Sequence, residues 1–192
     1  MKKIKVGIVG CGEVAHYHIK ALKKIKQAEI AAVSDIIYTK ALECAKLYNI
    51  KSHYKSLNEM LKNEMIDAVY ILTNPQSHAE LAIEAMKAGK HVLVEKPTCI
   101  TLKEADEMLN TARKHRVILF PIEQFLFTPA MQRAIKFISS GKAGEVINIY
   151  TYATISPLVK ELEKGILPKW FYSLPGGIYG EEIPHSLYTT LK

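Results

Sequence analysis

The chain has 192 residues, of which 48% are hydrophobic and 23% are charged, as in ordinary folded proteins and unlike disordered ones. Its 26 Lys and Arg outnumber its 19 Asp and Glu, for a formal net charge of +7, but the basic residues are spread along the chain. A nucleic-acid surface needs basic residues clustered on one face, so we expect no nucleic-acid partner.

The cysteines Cys11, Cys44 and Cys99 are odd in number and far apart, without the spacing of a disulfide scaffold or a zinc site. We therefore predict no bound metal and a reducing, cytoplasmic location. No apolar run approaches the roughly 18 residues that span a bilayer, so we also expect no membrane partner.

Strand and helix signals alternate over about the first 120 residues. Apolar runs predict the strands, and amphipathic segments and capping patterns predict the helices between them. The predicted strands cover residues 4–9, 29–34, 67–73, 91–95 and 116–120. Two helices are predicted over 14–25 and 40–48. Three more are predicted to begin after Ser56, Ser77 and Thr101, because each of these residues is followed three positions later by Glu, as in a capping box. This alternation predicts an α/β fold with a parallel sheet and right-handed crossovers.

The pattern changes after residue 122. Thr128 followed by Pro129 predicts the start of a helix that ends at Gly141, and alternating side chains predict a strand over 146–155. A last helix is predicted to begin at Pro184. We therefore expect two domains: 1–122, and the start of a second, α+β domain over 123–192 that is incomplete.

The turn after the first predicted strand carries the pattern G-x-G-x-x-A at Gly10, Gly12 and Ala15. The first glycine allows a tight turn, the second lets the backbone approach a pyrophosphate, and the small third residue packs the helix against the strand. An ordinary strand–helix turn would also fit this pattern, but Asp35 ends the second strand 23 residues after Gly12. We therefore predict a Rossmann-type doubly wound domain in which the following residues bind a dinucleotide: Gly10, Cys11, Gly12, Glu13, Val14 and Asp35.

Asp35 also bears on the choice of dinucleotide. Its carboxylate can accept hydrogen bonds from the ribose hydroxyls of NAD, whereas the 2′-phosphate of NADP would meet like charge, a repulsion of about 4 kcal/mol at about 4 Å. We predict NAD as the cofactor in preference to NADP. A simple cap of the strand end is the alternative role for Asp35.

Gly89 to Pro97 (GKHVLVEKP) is similar to the G-K-H-V-x-x-E-K-P signature of the glucose–fructose oxidoreductase/inositol dehydrogenase/rhizopine-catabolism (Gfo/Idh/MocA) family. Other segments resemble the family in the same order. They are Thr73-Asn74-Pro75 with His78, Thr128-Pro129-Ala130, residues 141–146, Trp170, Gly176-Gly177 and His185. The chain thus resembles this family over nearly its whole length, as an apparently shortened member.

The resemblance implies an NAD(P)-dependent oxidoreductase that transfers a hydride between nicotinamide and a hydroxyl or carbonyl group of a sugar, polyol or related small molecule. Lys96 would orient and polarise the reacting oxygen, and His185 would exchange a proton with the substrate hydroxyl. Glu181 stands where the family usually carries an aspartate. The resemblance further implies cofactor contacts from Thr73, Asn74, His78, Glu95, Lys96 and Gln124, and substrate contacts from Lys96, Trp170 and His185.

Each of these residues also has a structural alternative. Lys96 could be a surface lysine, His78 a polar residue at a helix start, His185 a helix cap and Glu181 a neighbouring surface acid. The segment also departs from the family, since Gln124 and Leu126 replace an asparagine and an arginine, and Tyr188 follows His185 where an acid is common.

Members of the family have a second domain built on a large sheet, of which this chain supplies one clear predicted strand. Because a lone strand has unpaired edges, we expect a homo-oligomer or completion by a C-terminal polypeptide. The alternative function is a non-catalytic dinucleotide-binding protein, or a fragment that needs a second polypeptide for activity.

Overall fold

The computed structural model describes residues 3–150, 164, 173–175 and 185. The chain divides into two compact units, Met1–Ile122 and Glu123–Lys192.

The first unit is built on one sheet of six parallel strands. The strands are β1 (Ile4–Val9), β2 (Ala28–Ser34), β3 (Ser52–Tyr54), β4 (Ala68–Ile71), β5 (His91–Val94) and β6 (Leu119–Pro121). Their order is β3-β2-β1-β4-β5-β6, so the chain builds outward from β1 in one direction and then from β4 in the other. The carboxyl ends of β1 and β4 meet at this reversal, where open α/β sheets bind their ligands. The predicted Rossmann-type doubly wound sheet is confirmed.

Over residues 3–150, five helices belong to the first unit and one to the second. They are α1 (Glu13–Leu22), α2 (Tyr38–Tyr48), α3 (Leu57–Asn63), α4 (His78–Lys87), α5 (Leu102–His115) and, in the second unit, α6 (Pro129–Ser139). Short 3-10 turns cover Pro75–Ser77 and Gln124–Phe127. Within the described part of the chain, no helix is long and apolar enough to cross a membrane.

Two apolar clusters form the core of the first unit. Successive strand residues such as Ile8 and Val9 enter different clusters, because side chains alternate between the two faces of a strand. One cluster includes Met60 of α3 and Met86 of α4, and the other includes Ile19 of α1. The sheet is therefore covered by helices on both faces, which explains the nearly continuous apolar runs in its strands.

The helix starts predicted after Ser56, Ser77 and Thr101 are all correct, but a side-chain cap forms at only two of them. The Thr101 hydroxyl accepts the Glu104 N–H at 3.1 Å, and Ser56 accepts the Glu59 N–H at 3.1 Å. The capping box predicted at Ser77 does not form. Its hydroxyl instead bonds the Thr73 hydroxyl at 2.7 Å and donates to Asn74 O at 2.9 Å, because a 3-10 turn precedes the helix there.

Two strands differ from the sequence prediction. β3 was not predicted, because three half-buried residues that pair on one side only with β2 make no apolar run. The last strand begins at Leu119 and not at Arg116, because Arg116 adopts a left-handed conformation (φ 54°) that ends α5.

The second unit begins as predicted and then departs from the prediction. α6 starts at Pro129, the Thr128 hydroxyl accepts the Met131 N–H, and Gly141 with φ 75° follows the helix. The strand predicted over 146–155 is wrong for 146–150, which is exposed and does not pair with any described residue. Residues 151–155 lie outside the described residues. Of the helix predicted to begin at Pro184, only His185 is described, and it is helical.

Candidate functional site

The turn between β1 and α1 depends on glycine at position 10. Gly10 has φ 95°, and its N–H donates to Ser34 O at 2.8 Å. A Cβ at this position would lie 2.5 Å from Leu72 O, at the end of β4. Only glycine therefore lets the turn pass this closely between β2 and β4.

Gly12 has the opposite surroundings. It is the N-cap of α1, no side chain caps the helix there, and an added Cβ would meet nothing within 4 Å. The amide groups of the first turn of α1, at Glu13 and Val14, are thus not capped by a side chain, and an anion is favoured at such a helix start. Ala15 is fully buried against the sheet. These residues fit the pyrophosphate of a dinucleotide.

Asp35 holds the glycine turn from the neighbouring strand. Its Oδ2 accepts the Cys11 N–H at 2.8 Å, and its Oδ1 accepts the Ile37 N–H at 2.8 Å. The carboxylate therefore does cap the strand end, which was the alternative considered for it. Each oxygen can accept a second hydrogen bond, so this structural role leaves capacity for a ribose hydroxyl.

A cleft of about 480 Å³ opens at the carboxyl edge of the sheet. It brings together several residues predicted to bind the cofactor, and it extends along α3 and α4. Its lining includes Gly10, Gly12, Asp35, Thr73 and Asn74.

The cleft also contains polar residues that sequence reasoning missed. Lys55 and Glu84 line it, and among the described residues no donor lies within hydrogen-bond distance of the buried Glu84 Oε1. A buried acceptor without a donor fits a ligand that brings an N–H or O–H group. No local signal marks Glu84, because its spacing on α4 is that of any helix residue.

His78 joins two loops and is fully buried. Its Nδ1 lies 2.8 Å from Pro97 O and its Nε2 lies 2.9 Å from Thr73 O. Burial lowers the pKa of His78, and the two carbonyl contacts partly oppose that shift. The His78 ring lies between the loops after β4 and β5, and in its neutral form it donates to one of the two carbonyls.

Glu95 is 8% exposed and connects α1 to the loop after β5. Its Oε1 lies 3.0 Å from His18 Nε2, and its Oε2 accepts the Lys96 N–H at 2.8 Å. Burial by itself raises the pKa of Glu95, but the hydrogen bonds from His18 and Lys96 and their charges outweigh burial and hold this pKa below its ordinary value. The carboxylate thus fixes the backbone from which Lys96 extends. His18 was missed because its partner is 77 residues away.

The remaining predicted residues lie in the second unit. Gln124 is the first residue of the short 3-10 turn. The His185 ring packs edge-on against Phe125, with centroids 4.7 Å apart. Glu181 and Trp170 lie outside the described residues, as does Tyr188. Among the residues that the structure describes, no three His, Cys, Asp or Glu side chains come together as a metal site.

Residues 4–122, more than half of the chain, match the family model described as "Oxidoreductase family, NAD-binding Rossmann fold" (GFO_IDH_MocA). A myo-inositol 2-dehydrogenase of Thermotoga maritima is 29% identical over 142 residues, covering 74% of this chain and 42% of that protein. An uncharacterized oxidoreductase of Synechocystis is 34% identical over 143 residues, covering 74% of this chain and 38% of that protein. The matched stretch thus spans about two fifths of these relatives.

Solved structures are similar over the same part of the chain. The myo-inositol 2-dehydrogenase of Lactobacillus plantarum has a TM-score of 0.71 at 26% identity, covering 76% of this chain and 44% of that one. The WlbA dehydrogenase of Bordetella pertussis, solved in complex with NADH and UDP-GlcNAcA, has a TM-score of 0.70 at 28% identity, covering 74% and 44%.

The two glycines of the turn should respond differently to alanine. Gly10→Ala should destabilise the fold by at least about 1–3 kcal/mol, because the residue is left-handed and its Cβ would meet Leu72 O. Gly12→Ala should change stability by less than about 0.5 kcal/mol yet weaken NADH binding at least about tenfold. Urea unfolding and NADH fluorescence titration measure the two effects. Equal effects of both changes on stability would contradict this assignment.

Glu95→Gln should reveal the stabilisation that the lowered pKa of Glu95 represents. The pKa of this carboxyl is lower in the folded chain than in the unfolded chain, where it is about 4.3. The ionised carboxylate therefore stabilises the fold at a pH above about 4.3, and this stabilisation is lost as the pH falls through the pKa of the folded chain. We expect the unmodified chain to be about 1–3 kcal/mol more stable than the variant at about pH 6, and the difference to shrink towards about pH 3. Urea unfolding at several pH values measures this difference in the free energy of unfolding. Glu107→Gln, at an exposed glutamate, serves as the control. A difference for Glu95→Gln that does not depend on pH would contradict the lowered pKa of Glu95.

Proposed function

The chain belongs to the Gfo/Idh/MocA oxidoreductase family, with an NAD-binding Rossmann fold, and we propose that it acts in an NAD-dependent hydride transfer to or from a hydroxyl or carbonyl group of a sugar, polyol or related small molecule. The observation that carries the proposal is the carboxyl edge of the sheet. There the glycine turn after β1, Thr73 after β4 and the Glu95–Lys96 pair after β5 follow three adjacent strands. The inositol dehydrogenases among the relatives support the substrate class.

The cofactor would be held by the glycine turn and by Asp35. The amide groups at Glu13 and Val14 would face the pyrophosphate, with Gly12 leaving room for it. Asp35 would accept the ribose hydroxyls, and Thr73 and Asn74 line the same cleft. Bound NAD would supply the acceptor for the hydride.

Asp35 supports NAD in preference to NADP. The like charge of a 2′-phosphate disfavours NADP there, although Lys40 and Lys55 line the same cleft and attract the phosphates of either cofactor.

NADH should bind at least about tenfold more tightly than NADPH, and Asp35→Asn should narrow this ratio. The ratio of the two dissociation constants is the informative quantity, because a loss of turn geometry weakens both cofactors alike. Asp67→Asn is a matched control, since Asp67 Oδ2 accepts the Lys5 N–H at 2.8 Å at the other edge of the sheet. Fluorescence titration measures all constants. An unchanged ratio in Asp35→Asn would rule out this role of Asp35.

Lys96, His185 and Glu181 would carry the proton chemistry. A Lys96 ammonium near the reacting oxygen would stabilise negative charge that develops there. The His185 imidazole would take or return the hydroxyl proton, since its type of side chain titrates near neutral pH. Glu181 would assist His185, and Trp170 would contact the substrate, as the family resemblance implies.

Lys96→Ala should lower turnover by about 10²–10³-fold and leave NADH affinity within about tenfold. NADH affinity should be retained because the Glu95 carboxylate binds the backbone N–H of residue 96, which alanine also has. Cofactor reduction with a panel of polyols, sugars and hydroxy acids measures turnover. The exposed Lys87→Ala is the control and should change neither quantity. Full turnover in Lys96→Ala would remove Lys96 from the reaction.

We also propose a second candidate function, in which the chain binds the dinucleotide and acts together with a partner polypeptide or a second copy of itself. NADH binding without cofactor reduction on any substrate of the panel would favour this candidate. We place either function in the cytoplasm, as a homo-oligomer or a complex with a C-terminal polypeptide.

A further inference from the structure

Two of the three cysteines meet beside the glycine turn. Cys11 lies between Gly10 and Gly12, and Cys44 lies on α2, 33 residues further along the chain. The Cys11 thiol donates to Ser34 O at 3.7 Å, and both cysteine side chains belong to the same apolar cluster. Their exposed fractions are only 5% and 2%. The fold therefore makes a pair of thiols that the sequence spacing does not indicate.

A cavity of about 520 Å³ gives small solutes access to this pair. Both cysteines line it, together with Glu13, His16 and Glu43. It shares only Gly12 and Lys40 with the cofactor cleft, among the residues that line either space. A buried thiol is ordinarily inert, but one that borders an open cavity can be reached by a small oxidant.

The two thiols differ in reactivity. The neighbouring Cys44 thiol, together with burial and the charge of Asp35, raises the pKa of Cys11. The neighbouring Cys11 thiol lowers the pKa of Cys44 against the opposing effects of burial and Asp35. Cys44 therefore has the greater thiolate character, and the thiolate is the nucleophile.

We propose that Cys11 and Cys44 form a reversible disulfide on reaction with hydrogen peroxide, and that this disulfide weakens NAD binding. The Cys44 thiolate attacks one peroxide oxygen, the O–O bond breaks, and the departing hydroxide takes a proton to become water. Cys11 sulfur then attacks the Cys44 sulfenic acid, the S–S bond forms, and the hydroxyl leaves as a second water with the Cys11 proton. Two thiols are oxidised and one peroxide is reduced to two waters.

The disulfide would act on the cofactor site through the backbone of Cys11. An S–S bond of about 2.05 Å is much shorter than any non-bonded contact of two sulfur atoms, so Cys11 is drawn towards α2. The Cys11 N–H is held by Asp35 at 2.8 Å, and its two neighbours are the glycines that shape the turn. This consequence rests on the proposed cofactor site, whereas formation of the disulfide does not.

The test uses the full chain, treated with hydrogen peroxide and then digested with trypsin. The expected product joins the peptide of residues 6–20, which holds Cys11, to that of residues 41–46, which holds Cys44, with the loss of two hydrogens. Dithiothreitol should reverse it. NADH titration should show at least about tenfold weaker binding by the oxidised chain and recovery on reduction.

Two variants separate the pair from other thiol chemistry. Cys44→Ala should form no cross-link, and its NADH affinity should change less than about twofold with peroxide. Cys99→Ala should keep the full response. If Cys11 and Cys44 remain free thiols under conditions that oxidise Cys99, the proposed disulfide is overturned. If the cross-link is complete and NADH affinity is unchanged, the proposed effect of the disulfide on NADH binding is overturned. If the chain bound no NADH at all, the cofactor site would fail while the mass measurement still decided the disulfide.

Discussion

The close approach of the β1–α1 turn to the end of β4 is the constraint on which the site depends. Gly10 passes so near Leu72 O that a Cβ would lie 2.5 Å from it. This contact exists because the strand order reverses between β1 and β4. It sets where α1 begins, and therefore where the amide groups of its first turn point. Asp35 then holds the same turn from the side of β2.

Buried polar residues bind the loops of this edge to one another. His78 links the loop after β4 to the loop after β5, and Glu95 links that second loop to α1 through His18. Hydrogen bonds to charged groups contribute about 1.5–3 kcal/mol each, and a buried carboxylate without them would be costly. The glutamate of the Glu-Lys-Pro motif is thus a structural anchor that sets the backbone position of Lys96.

Features encoded by neighbouring residues could be predicted from the sequence, and features made by distant residues could not. The turn at Gly10 and Gly12 and the capping box at Thr101 are local patterns, and they form as predicted. β3 has too few residues for a pattern. The pairing of His18 with Glu95 and the contact of Cys11 with Cys44 depend on the sheet bringing together residues 77 and 33 positions apart. Nothing in their local sequence distinguishes them.

The double use of Asp35 has a consequence for protein engineering. Both of its oxygens already accept backbone N–H groups, one from Cys11 and one from Ile37. Asparagine supplies a single acceptor oxygen and aliphatic residues supply none, so removing the acid also loosens the β1–α1 turn or the loop of Asp35 itself. A designer who wants NADP acceptance should therefore keep Asp35 and add a cation beside it. The exposed Ile36, at 93% exposure, is the adjacent position that could carry an arginine without disturbing the core.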